Sequence, residues 1–146
     1  MGGQGKTTLI YHFVQTLKAS GWRGARRVYA WSFYKQGSEE NRLITADEFF
    51  AAAFEVFSDG KEAPPQEPRA KGERLAQLVQ QERTLLILDG LEPLQYAAGL
   101  ANQIGGIKDL GIKALITILA EQNPGLCLIS TRIPINELPK GTSGVE

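Results

Sequence analysis

The chain has 146 residues, 42% of them hydrophobic and 22% charged, which fits one globular domain with a sizeable core. Sixteen Lys and Arg balance sixteen Asp and Glu, so no whole-molecule field points to nucleic acid or an anionic membrane as partner, although a local anion site is compatible with that balance. No apolar stretch nears the roughly 20 residues that cross a bilayer, no signal-like N-terminus is present, and the lone Cys127 can form no internal disulfide; these features predict a chain without membrane spans in a reducing compartment, by default the cytoplasm.

After a glycine-rich start, Leu9, Ile10, Phe13, Val14 and Leu17 recur at helical spacing and Gly21 lies where a stop is expected, which predicts a helix from about Lys6 to Ala19. The β-branched and aromatic run 27–33 predicts a strand. Within that run and just beyond it, Trp31, Phe33 and Tyr34 read as core packing, with base stacking as the alternative. Thr45-Ala46-Asp47-Glu48 has an N-cap residue with an acid three positions on and opens a helix through Phe57, with Phe49, Phe50, Phe54 and Phe57 as its packing face. Residues 58–72, with Pro64, Pro65 and Pro68, read as a flexible solvated loop rather than a domain boundary.

A helix near Glu73–Glu82 then leads into Thr84-Leu85-Leu86-Ile87-Leu88, an apolar run short enough to be a strand buried on both faces. Next come a glycine-containing loop, a helix near Asp109–Gln122 with Leu115, Ile118 and Leu119 inward, and the strand Leu126–Ser130. The order αβααβαβ predicts an α/β domain with helices on both faces of a parallel sheet, spanning residues 1–146 as one unit.

Three segments carry chemistry. Gly2-Gly3-Gln4-Gly5-Lys6-Thr7-Thr8 matches the end of G-x-x-x-x-G-K-[ST], in which backbone N–H groups at a helix N-terminus cradle phosphates. Glycines allow close approach, Lys6 places a charge on the β- and γ-phosphates, and the Thr7 hydroxyl is a Mg²⁺ ligand. The alternative is a glycine-rich turn with a chance Lys-Thr. The motif's first glycine would fall five residues before Gly5, ahead of Met1, and the strand that delivers such a loop would precede it, so the sequence reads as entering the domain part-way through this loop.

Asp89 ends the buried run, where a carboxylate can face phosphates and hold a metal's water shell; otherwise it is a helix N-cap or a turn residue before Gly90. Glu92 is a second carboxylate, either a base for the attacking water or a cap for the Pro93 turn. Ser130-Thr131-Arg132 places a cation at a strand end, either to contact a γ-phosphate or as a plain surface arginine. His12 lies in the first helix without a partner motif and reads as a packing or surface residue.

These segments, with Val28-Tyr29-Ala30-Trp31-Ser32-Phe33-Tyr34, resemble the STAND class of signal-transduction P-loop ATPases, the NACHT and NB-ARC relatives, and especially bacterial members. The resemblance spans nearly the whole chain. It implies a three-layer P-loop NTPase fold whose first, central strand is missing here, and whose C-terminal limit follows the first sensor. For function it implies an ADP/ATP switch with slow Mg²⁺-dependent hydrolysis that self-associates in a larger signalling or defence protein, with Arg132 as γ-phosphate sensor. The pattern departs at Gly90, where many related ATPases carry a catalytic Glu, which throws weight on Glu92. A small-molecule kinase is the rival; it requires an arginine-rich late lid, and only Lys140 follows Arg132 as a base. A GTPase would need an N-K-x-D motif, which is absent, and an isolated chain that binds no nucleotide is a further alternative.

Overall fold

A computed structural model of the chain describes residues 4–34, 46–96, 105–136 and 138, with the backbone only at 4–7. Four helices and three strands follow the expected order. They are α1 Gln4–Ala19, β1 Arg27–Ser32, α2 Ala46–Phe57, α3 Pro68–Gln80, β2 Thr84–Asp89, α4 Leu110–Glu121 and β3 Leu126–Ser130. Short 3₁₀ turns lie at Gly21–Gly24 and Glu92–Leu94.

The strands form one parallel sheet in the order β1-β2-β3. Arg27 stands opposite Thr84 and Ser32 opposite Asp89, while Leu85 stands opposite Leu126 and Asp89 opposite Ser130. Parallel neighbours need crossover connections. Here α2 and α3 connect β1 to β2, and α4 connects β2 to β3.

Strand pleating explains the unbroken apolar run of β2. Leu86 and Leu88 join the larger core with α2, α3 and α4, whereas Leu85 and Ile87 join Leu17 and Leu128 in a second cluster completed by Ile10, Phe13 and Val14 of α1. Helices therefore cover both faces of the sheet, as expected. The phenylalanine face of α2 is buried as read from its spacing, and its rings meet the strand edge-on, Phe49 to Trp31 at 5.8 Å and Phe57 to Tyr29 at 5.4 Å between centroids. Each such ring contributes about 1.5–3 kcal/mol by leaving water. Trp31 and Phe33 thus belong to core packing, while Tyr34, expected with them, is exposed. The expected N-cap Thr45 lies outside the described residues.

Helix α3 begins at Pro68, five residues earlier than its composition implied, which shortens the expected loop 58–72 to 58–67. The Glu67 carboxylate accepts from the N–H groups of Arg69 at 3.0 Å and Ala70 at 2.6 Å, and Pro68 occupies the first helical position, where its missing N–H costs nothing. A proline that read as a loop marker is a helix start. The remaining loop is fastened at Ser58, whose Oγ donates to Phe54 O at 2.6 Å and accepts from Glu62 N at 3.0 Å. Glu62 in turn pairs with Arg74, whose hydrogen bond holds the carboxyl below its usual range.

Helix α1 stops as predicted, with Gly21 at φ +68°. Its later turns, through Phe13 and Leu17, line a cavity of about 270 Å³ with Thr84, Leu85, Gly125 and Leu126, where β2 and β3 begin. The helix thus runs against the strands, and its N-terminus is directed toward the end where they finish. On its outer side β3 pairs with no strand among the described residues, and Leu126 is exposed. A second cavity of about 230 Å³, lined by Ile116, Leu119, Cys127 and Ile129, lies on the opposite face of that edge.

Candidate functional site

Parallel register brings the ends of all three strands to one rim, because Ser32, Asp89 and Ser130 are successive partners. The side chains singled out in the sequence leave the sheet just there. Helix α1 begins at Gln4, so Gln4, Gly5, Lys6 and Thr7 form its first turn, whose N–H groups have no acceptor within the helix. No acidic side chain offsets the positive end of the helix in that turn. Gly2 and Gly3 lie outside the described residues, and the side chains of Lys6 and Thr7 are not described; Thr8 is exposed on α1. His12 is exposed and edge-on to Tyr11.

Asp89 ends β2 and is partly exposed. Its carboxylate has no hydrogen bond or ion pair to any other described residue. It caps no helix, since the following 3₁₀ turn starts after Leu91 without a side-chain cap. The turn after Asp89 is closed by backbone, with Gly90 N and Leu91 N both donating to Ser130 O at 3.1 and 3.0 Å. The cap alternative for Asp89 therefore falls, as does a capping role for Glu92 at Pro93.

Glu92 instead joins strand ends. Its Oε1 accepts from Arg132 N at 2.5 Å and lies 3.8 Å from Arg132 Nε, while its Oε2 accepts from Tyr34 Oη at 3.4 Å. The side chain of Glu92 is only 17% exposed and that of Arg132 is 57% exposed, so the carboxylate is held and the guanidinium projects into solvent. Tyr34 reaches this position because Gly90 has no side chain: a Cβ there would lie 2.4 Å from the Tyr34 ring. Gly90 also has φ +75°, a conformation that costs glycine little. Burial pushes the Tyr34 phenol above its ordinary pKa, and the charge and hydrogen bond of Glu92 push the same way.

Behind this rim, Gln95 ties the loops after β2 and β3 together. It is 2% exposed; its Nε2 donates to Gly105 O at 3.1 Å and Ile133 O at 3.0 Å, and its Oε1 accepts from the Thr131 hydroxyl. A buried amide with both ends satisfied fixes the path that presents Arg132. No motif in the sequence marks Gln95, and the aromatic run ending at Tyr34 assigns that residue to the core. The one available signal for Tyr34 was its place two residues beyond the strand end, where side chains leave the sheet.

The rim thus brings Tyr34, Asp89, Glu92 and Arg132 together. Among the described residues no group of three or more His, Cys, Asp or Glu side chains is placed to hold a metal alone. A cation here would rest on Asp89 and on groups from elsewhere, such as a hydroxyl and phosphate oxygens. Comparison with protein-family models, with curated proteins and with solved structures finds no match to this chain.

Proposed function

We propose that this chain is an ATP/ADP-binding switch module with weak Mg²⁺-dependent ATPase activity, of the STAND type of P-loop NTPase, and that it serves a larger cytoplasmic signalling or defence protein. One observation carries the reading. A helix opened by Gly5-Lys6-Thr7 directs its N-terminus toward the rim where a buried parallel strand ends in Asp89, a carboxylate with no partner among the described residues. A helix N-terminus favours phosphate, and an unpaired carboxylate at a strand end favours a hydrated divalent cation.

In this reading the backbone of Gly3–Thr8 and Lys6 hold the phosphates, and Thr7 and Asp89 hold Mg²⁺, which when bound neutralises developing charge on the phosphate oxygens. Arg132 contacts the terminal phosphate. During hydrolysis the water oxygen bonds to the γ-phosphorus, the bond to the β–γ bridging oxygen breaks with its electron pair leaving on ADP, and the water's proton passes to Glu92. Both Glu92 oxygens already accept hydrogen bonds in this structure, so it is a restrained base and turnover is slow. Self-association belongs to the whole switch protein in the same proposal.

Titration of the chain with a fluorescent ATP analogue in Mg²⁺ tests the assignment. Hydrogen bonds to charged groups are worth about 1.5–3 kcal/mol, so Lys6→Ala is expected to weaken binding by about tenfold or more. Equal affinity in the variant and the parent chain would overturn it.

A further inference from the structure

The carboxylate of Glu92 receives donors from two other strand ends, Arg132 after β3 and Tyr34 after β1. The two contacts differ in kind. Arg132 holds Oε1 through its backbone N–H, which cannot leave, whereas its guanidinium stands 3.8 Å away in an exposed pair, beyond hydrogen-bond distance. Oε2 is held by Tyr34 alone among the described residues, and the ring of Tyr34 is itself seated against Gly90.

We propose that Tyr34 is a positioning residue of this site, pinning Glu92 Oε2 while the Arg132 amide holds Oε1, so that Glu92 stays in place when a terminal phosphate draws the Arg132 guanidinium away. The proposal rests on the nucleotide reading and adds its regulation. An arriving phosphate brings more charge than one carboxylate offers and takes the guanidinium without having to break a hydrogen bond. Glu92 then remains parked by the Arg132 amide and by Tyr34, whose hydrogen bond lowers the basicity of Oε2, so that Oε2 takes the water's proton more readily once the phenol lets go. The hydroxyl of Tyr34 is thus a brake on hydrolysis and has no part in holding the nucleotide.

Two measurements on the full chain separate this proposal from its premise. The first needs no nucleotide: ultraviolet titration of tyrosinate, taken as the difference between the parent chain and Tyr34→Phe, isolates Tyr34. Among the described residues the charged groups acting on its phenol are Glu92, Asp89 and Arg132, of which the two carboxylates raise its pKa and Arg132 lowers it. Glu92→Gln removes one carboxylate charge, so the Tyr34 titration is expected to move to lower pH; a titration that stays in place overturns the positioning role. The second is MgATP binding and turnover. A neutral hydrogen bond is worth about 0.5–1.5 kcal/mol, so Tyr34→Phe is expected to turn over about two- to tenfold faster, with affinity within about twofold. Unchanged or slower turnover at unchanged affinity, with Lys6→Ala impaired in binding, overturns the brake and leaves the nucleotide reading standing. Parent-like binding by Lys6→Ala overturns both.

Discussion

Cys127 shows how a single side chain takes its chemistry from its surroundings. It lies on β3 facing α4, and burial pushes its thiol from 9.0 up to about 12. Only the thiolate is nucleophilic. A raised pKa leaves far fewer thiolates at mildly alkaline pH, so alkylation by iodoacetamide in the native chain is expected to be much slower than in the urea-unfolded chain. Comparable rates would show that the thiol is open to water. The same shift carries a sign for stability. Above pH 9 the unfolded thiol gives up its proton while the folded one keeps it, so the unfolded state binds fewer protons and this residue's contribution to stability falls as pH rises from 9 toward 12.

Between elements, α3 and α4 approach closely. A Cβ built on Gly72 would lie 1.9 Å from Gly111 O, and one on Gly111 would lie 2.7 Å from both Pro68 O and the Phe50 ring. Two glycines let these helix backbones touch. Alanine in place of a helical glycine ordinarily adds up to about 1 kcal/mol through propensity. Forcing two backbones apart costs about 1–3 kcal/mol or more, because the obstacle at Gly72 is the Gly111 carbonyl, a backbone group that cannot rotate away. Gly72→Ala is therefore expected to lower the urea midpoint of unfolding, and a midpoint that rises would mean that propensity outweighs the clash. The start of α3 is decided at the same scale: the Glu67 carboxylate on two amide groups overrides the loop character of the proline-rich stretch before it.

For the whole molecule, the sheet predicts a gradient of protection. Strand β2 is paired on both sides and buried between α1 and the other three helices, whereas β3 has one strand neighbour among the described residues and cavities on both faces of its outer side. In a parallel pair, alternate residues direct their amides to one neighbour, so only alternate positions of β3 face β2. Hydrogen exchange should be slowest at Leu85–Leu88 and alternate between slow and fast along Leu126–Ser130. Uniformly slow exchange in β3 would reveal a further partner on its outer edge, and fast exchange at Leu85–Leu88 would contradict the sheet itself.

What the amino-acid order determined by itself is local in origin. The phenylalanine spacing of α2, the continuous apolar run of β2 and the alternation of strand and helix depend on periods of two or 3.6 residues, and these are read along the chain without knowing what lies opposite. From them the parallel sheet, the helices on both of its faces and the position of Asp89 at a buried strand's end all followed, and each is present. The tertiary structure alone decided what Glu92 does, because its partners Tyr34 and Arg132 lie 58 and 40 residues away along the chain. No local period encodes such contacts. They arise because parallel register delivers three strand ends to one rim, and because Gly90 leaves room there for the ring of Tyr34.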